Sequence, residues 1–210
     1  MTPIGEEPAR RPIASRSSPW AIGLSARLAG AGITPNAISL LSIVFAAAGG
    51  ALIAYGAHPL AWWPAAACVQ LRLVCNLLDG MVAIEGGLKT ATGPLYNEFP
   101  DRIADTLLLV PLGYAAGVPW LGWACALLAA LTAYVRVFGG ALGLPQDFSG
   151  VMAKQRRMAA LTVGLAAQGA ESLMASTRWS LLVAAVVIAA GSMATCVSRS
   201  LKIARALERA

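Results

Sequence analysis

Long hydrophobic stretches alternate with short polar connections along most of the chain. Each stretch is near the roughly 20 residues that an α-helix needs to cross the hydrocarbon core of a bilayer. Most of the basic residues lie in the connections and the terminal segments. The pattern predicts an all-α, polytopic membrane protein with about six transmembrane helices. We expect these spans at residues 37–56, 60–84, 95–115, 119–141, 155–175 and 179–198.

The residues before the first predicted span divide into two parts. Residues 1–19 are rich in proline and arginine, which predicts a flexible basic arm. Residues 20–31 are apolar but too short to cross a bilayer, and Trp20 at their start suits the headgroup region, so we expect an interfacial helix there. Thr34 followed by Pro35 is typical of a helix N-cap and the first helical position, and it marks the start of the first span.

The charge pattern predicts how the chain is oriented. Lys and Arg are concentrated before the first span, in the second-to-third and fourth-to-fifth connections, and after the last span. The other connections hold Arg178 and His58. Because cytoplasmic connections carry the excess of basic residues, both termini are predicted to be cytoplasmic in a multi-pass protein of the cell (inner) membrane. The predicted parts are an arm with its interfacial helix at 1–36, a membrane domain at 37–200 and a basic tail at 201–210.

The composition agrees with a membrane location. Hydrophobic residues make up 58% of the chain and charged residues 12%, whereas soluble domains carry about 25% charged residues. The formal net charge is +6, but basic residues beside spans set topology and meet anionic lipid, so no nucleic-acid partner is predicted. The cysteines lie inside predicted spans without a CxxC or Cys/His pattern, and neither zinc nor a disulfide framework is indicated.

A polar segment from Asn76 to Asp105 interrupts this apolar chain and holds five of its ten carboxylates. Charged groups at the mouth of a membrane helix are costly, which favours a functional role. Asn76 and Asp79 share one helix face, and Asn97 and Asp101 share a face of the next helix. Two oxygen-bearing pairs that face each other would suit a hard cation such as Mg²⁺. The alternative is that these groups only cap helix ends at the membrane surface.

Arg72 lies on the same helical stripe as Asn76 and Asp79, and it is deep enough in the predicted span to need a partner. Asp79 or a carboxylate of the third span could provide that partner. The pair could belong to the site or could be purely structural, and the sequence leaves both readings open.

Over residues 76–101 the chain resembles the signature of CDP-alcohol phosphotransferases, D-x2-D-G-x2-A-R-x8-G-x3-D-x3-D. Every gap in this signature is kept. Asn76, Ile84 and Asn97 stand where the signature has Asp, Arg and Asp. The matching residues are Asp79, Gly80, Ala83, Gly93 and Asp101.

The resemblance implies a membrane transferase that moves a phospho-alcohol group from a CDP-alcohol to an acceptor alcohol and releases CMP, in phospholipid biosynthesis. It implies a CDP-diacylglycerol-like donor, a polar alcohol acceptor, the lipid bilayer and a second copy of the chain in a homodimer as partners. Asp101 would be the catalytic base on the acceptor hydroxyl. The implied nucleotide-binding residues are Asp79, Gly80, Ala83 and Gly93.

The resemblance also implies a metal site on Asp79, Asp101, Asn76 and Asn97. Asn supplies an oxygen donor without charge, so these positions carry two formal negative charges instead of four. We therefore expect one divalent cation, Mg²⁺ or Mn²⁺, rather than two. Glu98 and Asp105 lie nearby in the sequence and could supply further charge.

Beyond the motif, the residues Ala133 to Arg136 resemble the S-Y-x-R segment of phosphatidylinositol-type synthases, and residues 150–157 resemble their G-x-M-x-R-x-x-R segment. The resemblance implies that Arg136, Lys154 and Arg157 hold an anionic group of the acceptor. For Lys154 and Arg157 a basic cytoplasmic connection is expected from topology alone, and this alternative stays open.

Two functions therefore remain. Retention of Asp79 and Asp101 favours an active CDP-alcohol phosphotransferase. Asn76, Asn97 and Ile84 favour a non-catalytic family member that binds a nucleotide or lipid, or that scaffolds a partner enzyme.

Overall fold

The computed structural model describes residues 14–56, 58–88 and 90–209, apart from the side chains of Ala14, Ser15 and Glu85. Within these residues all regular structure is helical, which confirms the all-α prediction. Most of the predicted basic arm, residues 1–13, lies outside the described residues. The helices are α1 (Pro19–Gly30), α2 (Pro35–Tyr55), α3 (Trp62–Glu85), α4 (Gly93–Ala115), α5 (Pro119–Ala141), α6 (Lys154–Met174) and α7 (Trp179–Leu207), with 3-10 turns at Ala14–Ser17 and Pro59–Ala61.

The helices α2 to α7 correspond one to one with the six predicted spans, and α1 with the predicted interfacial helix. α7 differs most, because it continues to Leu207 and makes much of the predicted tail helical. Among the described residues, four segments are long and apolar enough to cross a membrane: Pro35–Tyr55, Pro59–Ile84, Pro119–Ala141 and Trp179–Leu207. α4 and α6 carry the charged residues of the polar site, which lower their hydropathy, so the count of six spans stays a prediction.

Local signals in the sequence explain where several helices begin. Thr34 caps α2, because its hydroxyl oxygen accepts a hydrogen bond from the amide of Ala37 at 3.2 Å and Pro35 is the first helical residue. The turn between α6 and α7 is closed by Glu171, whose carboxylate accepts hydrogen bonds from the amides of Trp179 at 2.9 Å and Ser180 at 2.8 Å. The carboxylate thus satisfies orphan amides at the start of α7.

The six longer helices pack in a closed order: α2, α3, α6, α7, α5, α4 and back to α2, and α1 lies against α3. The interior is filled by buried aliphatic side chains, among them Leu108, Leu112, Leu161 and Ile188. A group of charged residues from α3, α4 and α6 is buried with them: Arg72, Asp101, Asp105 and Arg157. The polar site therefore lies inside the bundle rather than on its lipid-facing surface.

Glycines allow the backbones of neighbouring helices to approach closely. A Cβ atom on Gly50 of α2 would lie 2.1 Å from the backbone carbonyl oxygen of Leu107 in α4. A Cβ on Gly113 would lie 2.3 Å from the amide nitrogen of Gly122 in α5. Both contacts are with backbone atoms, which cannot move aside as a flexible side chain can. Close packing of this kind replaces the hydrophobic effect as the force between helices in lipid.

Gly50→Ala is expected to destabilise the bundle by about 1–3 kcal/mol, because the new methyl group forces α2 and α4 apart. The measurement is the thermal midpoint of the purified protein in detergent. Gly23→Ala in α1 is the matched control, since a Cβ there meets nothing within 4 Å. Its midpoint should be unchanged or slightly raised. Equal midpoints for the two variants would contradict the packing argument.

Candidate functional site

A cavity of about 990 Å³ opens among α3, α4, α5 and α6. The residues that the sequence predicts for the nucleotide, the metal, the base and the acceptor all line it, although they come from four helices and span 82 positions of the chain. Six basic and three acidic side chains line the cavity, so its charge favours an anionic ligand. The predicted residues in its wall are Asn76, Asp79, Gly80, Ala83, Gly93, Asn97, Asp101, Arg136, Lys154 and Arg157.

Asp79 is buried and held by two hydrogen bonds from the protein. The Ser39 hydroxyl donates to its Oδ2 at 2.7 Å, and the Gly80 amide donates to its Oδ1 at 2.6 Å. Ser39 lies one turn after the Thr34-Pro35 start of α2, so the start of that helix orients the Asp79 carboxylate. The sequence analysis missed Ser39; the signal was a serine one turn inside an otherwise apolar span.

Asp105 lies between two buried arginines. Arg72 Nη2 donates to its Oδ1 at 2.7 Å, and Arg157 Nη2 donates to its Oδ2 at 2.6 Å. Arg72 also reaches Asp101 Oδ1 at 3.3 Å. The partners of Arg72 are therefore the carboxylates of α4, one of the two possibilities left open by the sequence, and not Asp79.

Lys154 joins the two halves of the signature motif. Its ammonium group donates one hydrogen bond to Asn76 Oδ1 at 2.5 Å and another to Asp101 Oδ2. Asn76 belongs to α3, Asp101 to α4, and Lys154 is the first residue of α6. The side chains of Lys154 and Asp101 are 13% and 10% exposed, so this contact is shielded from water but still reaches the cavity.

The Asn76 amide is fixed at both ends. Its Nδ2 donates to the backbone carbonyl of Arg72 at 3.0 Å, which turns Oδ1 toward Lys154. Asn97, the other asparagine of the motif, lines the cavity with an exposed side chain. The two asparagines therefore have different surroundings, and Asn76 alone contacts Lys154.

Arg136 approaches the cavity from α5. Its guanidinium group donates to Glu98 of α4 and, at 2.5 Å, to Gln146, and it lies 4.9 Å from the ring centroid of Phe148. Each of the three basic residues predicted for the acceptor thus faces a carboxylate: Glu98 for Arg136, Asp101 for Lys154 and Asp105 for Arg157. Glu98 and Asp105 are consequently committed to arginines and do not restore charge at the asparagine positions.

The donor set in this arrangement does not fit a divalent cation. No group of three or more His, Cys, Asp or Glu side chains is placed to hold a metal ion in the part of the chain that the structure describes. Both Asp79 oxygens accept hydrogen bonds from the protein, and Asp101 faces Lys154 and Arg72. The gap between Asn76 and Asp101, where a cation was predicted, is bridged by an ammonium group instead.

Several guanidinium N–H groups of the site donate no hydrogen bond to the described part of the protein. Arg102 Nε and Nη1 and Arg157 Nε are buried without a hydrogen-bond acceptor among the described residues. Both arginines line the cavity. Unsatisfied buried donors are costly, and an anion in the cavity would supply the missing acceptors.

Comparison with known proteins supports the resemblance seen in the motif. No protein-family model matches the chain. The inner membrane protein YnbA of Escherichia coli K12 is 32% identical over 79 residues, which cover 38% of this chain and 39% of YnbA. The bifunctional IPC transferase and DIPP synthase of Rubrobacter xylanophilus is 33% identical over 149 residues, which cover 67% of this chain and 33% of that protein. The chain thus spans well under half the length of these two relatives.

Solved structures of phosphatidylinositol phosphate synthase (PgsA1) of Mycobacterium tuberculosis match most of the chain. The structure with CDP-DAG bound has a TM-score of 0.71 and 22% identity, and covers 87% of this chain and 92% of its own. The structure in complex with manganese and citrate has a TM-score of 0.70 and 23% identity, and covers 87% and 88% respectively. The shared fold, together with the spacing of the motif residues, confirms the predicted resemblance: this chain has the fold of the CDP-alcohol phosphotransferase family.

Proposed function

We propose that this protein is a membrane-embedded transferase that moves a phospho-alcohol group from a CDP-alcohol to an acceptor alcohol, with release of CMP. The observation that carries the proposal is the convergence of Asp79, Asp101 and a set of basic side chains on one cavity of the same fold. A synthase with this fold is solved with CDP-DAG bound. A CDP-diacylglycerol-like donor is therefore the first substrate to test.

The nucleotide is proposed to lie against the small residues of α3 and the start of α4. Gly80 and Ala83 present a surface of small residues on α3, and a Cβ on Gly80 would come within 3.7 Å of Arg16 Nη2. These small side chains let a diphosphate approach the α3 backbone beside Asp79. Gly93 likewise lets the diphosphate approach the backbone at the start of α4. Basic side chains around the cavity balance the charge of the diphosphate.

Asp101 is the proposed base. The acceptor oxygen attacks the phosphorus that carries the donor's alcohol, the bond from that phosphorus to the CMP oxygen breaks, and the hydroxyl proton passes to the Asp101 carboxylate. Lys154 and Arg72 contact this carboxylate and hold it in position until the acceptor arrives. A positioned carboxylate of this kind contributes typically about 10²–10⁴ to the rate.

The acceptor pocket is proposed to be the basic side of the cavity, formed by Arg136, Lys154 and Arg157. Arg157 is almost wholly enclosed by its contact with Asp105, whereas Arg136 is held beside Gln146 and Phe148 with its partner Glu98 partly exposed. Arg136 is therefore the residue best placed to meet an anionic acceptor group.

Arg136→Gln is expected to raise the KM for a phosphorylated acceptor about tenfold or more with a smaller change in kcat, because a charged hydrogen bond is lost in binding. The measurement compares a polar alcohol with its phosphate ester. Arg178→Gln, at the opposite end of the bundle, is the matched control and should leave the preference for the ester unchanged. An unaltered preference in Arg136→Gln would remove Arg136 from the acceptor pocket.

The membrane arrangement is part of the same proposal. Both termini and the cavity would face the cytoplasm, six helices would cross the inner membrane, and two copies would form a homodimer. Two observations support this arrangement: four helices of the described part of the chain are long and apolar enough to cross a membrane, and one relative is an inner membrane protein. Labelling of single cysteines from each side of the membrane, with crosslinking in native membranes, tests the orientation and the dimer.

The deciding experiment is a CMP-release assay on the full chain in lipid, with CDP-DAG and a panel of polar alcohols and their phosphate esters. A divalent cation, which the sequence predicts, would have to displace Lys154 from Asn76 and Asp101, so the assay is run with Mg²⁺, with Mn²⁺ and with EDTA. Acceptor-dependent CMP release supports the proposal. Binding of the nucleotide without CMP release from any acceptor would instead support the non-catalytic alternative.

A further inference from the structure

The Lys154 ammonium group lies in the cavity where a phosphate group of the nucleotide is proposed to bind. We infer that the Lys154 ammonium group stands in place of a divalent cation in this chain, so that a nucleoside diphosphate binds without a metal. The inference deepens the proposed function and shares its cavity. Its first support is geometric, since one ammonium group contacts Asn76 and Asp101, the first and last positions of the motif.

The Asn76 side chain is fully engaged by two protein groups. Its amide donates to the Arg72 carbonyl and accepts from Lys154, so both ends are satisfied. Asn76 lacks the negative charge of the Asp in the motif, which leaves one carboxylate, that of Asp101, in contact with the Lys154 ammonium group.

The remaining carboxylates are already engaged. Asp79 accepts from Ser39 and Gly80, and Asp105 from Arg72 and Arg157. A divalent cation between Asp79 and Asp101 would lie close to the Lys154 charge in a shielded site, where repulsion is strong. A phosphate group has the opposite preference, because it can accept hydrogen bonds from Lys154 and from the spare donors of Arg102.

The wild-type protein tests the inference directly. Full-length protein in lipid is titrated with MnCl₂ and followed by electron paramagnetic resonance, and CDP binding is measured by calorimetry with and without EDTA. We expect no stoichiometric Mn²⁺ site in the absence of nucleotide, and a CDP affinity that changes by less than about twofold in EDTA. One tightly bound Mn²⁺ that Asp79→Asn removes, or loss of CDP binding in EDTA, overturns the inference.

Variants at Lys154 separate its charge from its size. Lys154→Gln should weaken CDP binding about tenfold or more, since a charge-assisted hydrogen bond is lost. Lys154→Arg keeps the charge and should retain most of the affinity. The double variant Asn76→Asp with Lys154→Gln should gain a Mn²⁺ site that the wild type lacks. Failure of the double variant to bind Mn²⁺ while keeping the wild-type melting temperature would count against the exchange of metal for lysine.

Comparison of CDP binding with CMP release distinguishes this inference from the proposed function. CMP release that persists in EDTA supports both. If CDP binds in EDTA but no condition gives CMP release, the inference about Lys154 is supported and the transferase activity is rejected. CMP release that requires Mn²⁺ supports the transferase and rejects the inference, and absence of any CDP binding rejects both.

Discussion

Asp105→Asn is expected to lower the free energy of unfolding by about 3–5 kcal/mol, the largest effect on stability expected from a single side chain in this protein. Asp105 is 2% exposed and is the counter-ion shared by Arg72 and Arg157, which are 0% and 1% exposed. Asparagine has nearly the same shape, so the packing is kept and the charge alone is lost. Two guanidinium groups would then be buried with one fewer counter-charge, and neither can lose its proton.

Asp147→Asn is the matched control for this loss of charge. Asp147 pairs with Lys202 at 2.8 Å, but the lysine side chain is 57% exposed. Burial alone would raise the pKa of the Asp147 carboxyl, but hydrogen bonds from Lys202 and Ser149 outweigh it and lower the pKa to about 2, so the pair is formed at neutral pH. An exposed pair contributes only about 0–1 kcal/mol. The thermal unfolding midpoint of each variant is measured in detergent. Equal midpoints for Asp105→Asn and Asp147→Asn would contradict a stabilising role for the buried pair.

Asp101→Asn is expected to lower the rate of CMP release by about 10²–10⁴, the contribution of a positioned proton acceptor. The affinity for CDP should be kept or raised, because a base on the acceptor does not contact the donor and because Lys154 loses its competing carboxylate. The variant is assayed for CMP release, for CDP binding and for its melting temperature. The melting temperature is needed because Asp101 also contacts Arg72 at 3.3 Å.

Two outcomes would point away from Asp101 as the base, and a third would call for a second variant. Equal rates for Asp101→Asn and wild type would assign the proton to another group. A parallel loss of CDP binding and CMP release would make Asp101 a binding residue. Loss of folding would show that its contact with Arg72 is structural, and Asp101→Glu, which keeps the charge, would then separate the two roles. Asp147→Asn, outside the cavity, should keep the wild-type rate.

The sequence predicted the helices and placed the proposed site residues at positions that line one cavity, because both depend on local spacing. The lengths of the hydrophobic stretches predicted the first and last residues of α2 to α6 closely. The fixed gaps from Asn76 to Asp101 placed these side chains on two helices that line the same cavity. α7 extends further than predicted because its apolar face continues among the basic residues after position 198.

The contacts inside the site were not predictable, because they join residues far apart in the chain. Lys154 is 78 positions from Asn76 and 53 from Asp101, and Ser39 is 40 positions from Asp79. Spacing within one helix carries no information about such pairs. The sequence could identify Lys154 as a basic residue at a span end, but its contact with the motif depends on how α6 packs against α3.

The pairing of the buried charges follows the order in which the chain is translated. Arg72 and Asp105 are 33 positions apart, so the ribosome delivers both within α3 and α4, and α2 packs against each of these helices. Arg157 follows 52 positions after Asp105, on α6. The first three long helices can therefore come together with Arg72 and Asp105 already paired. α6 is made later and brings Arg157 to the same carboxylate. A nascent chain stopped after α4 should accordingly be retained in the membrane, whereas the same chain with Arg72→Leu would carry an unpaired Asp105 and should be exposed to membrane proteases.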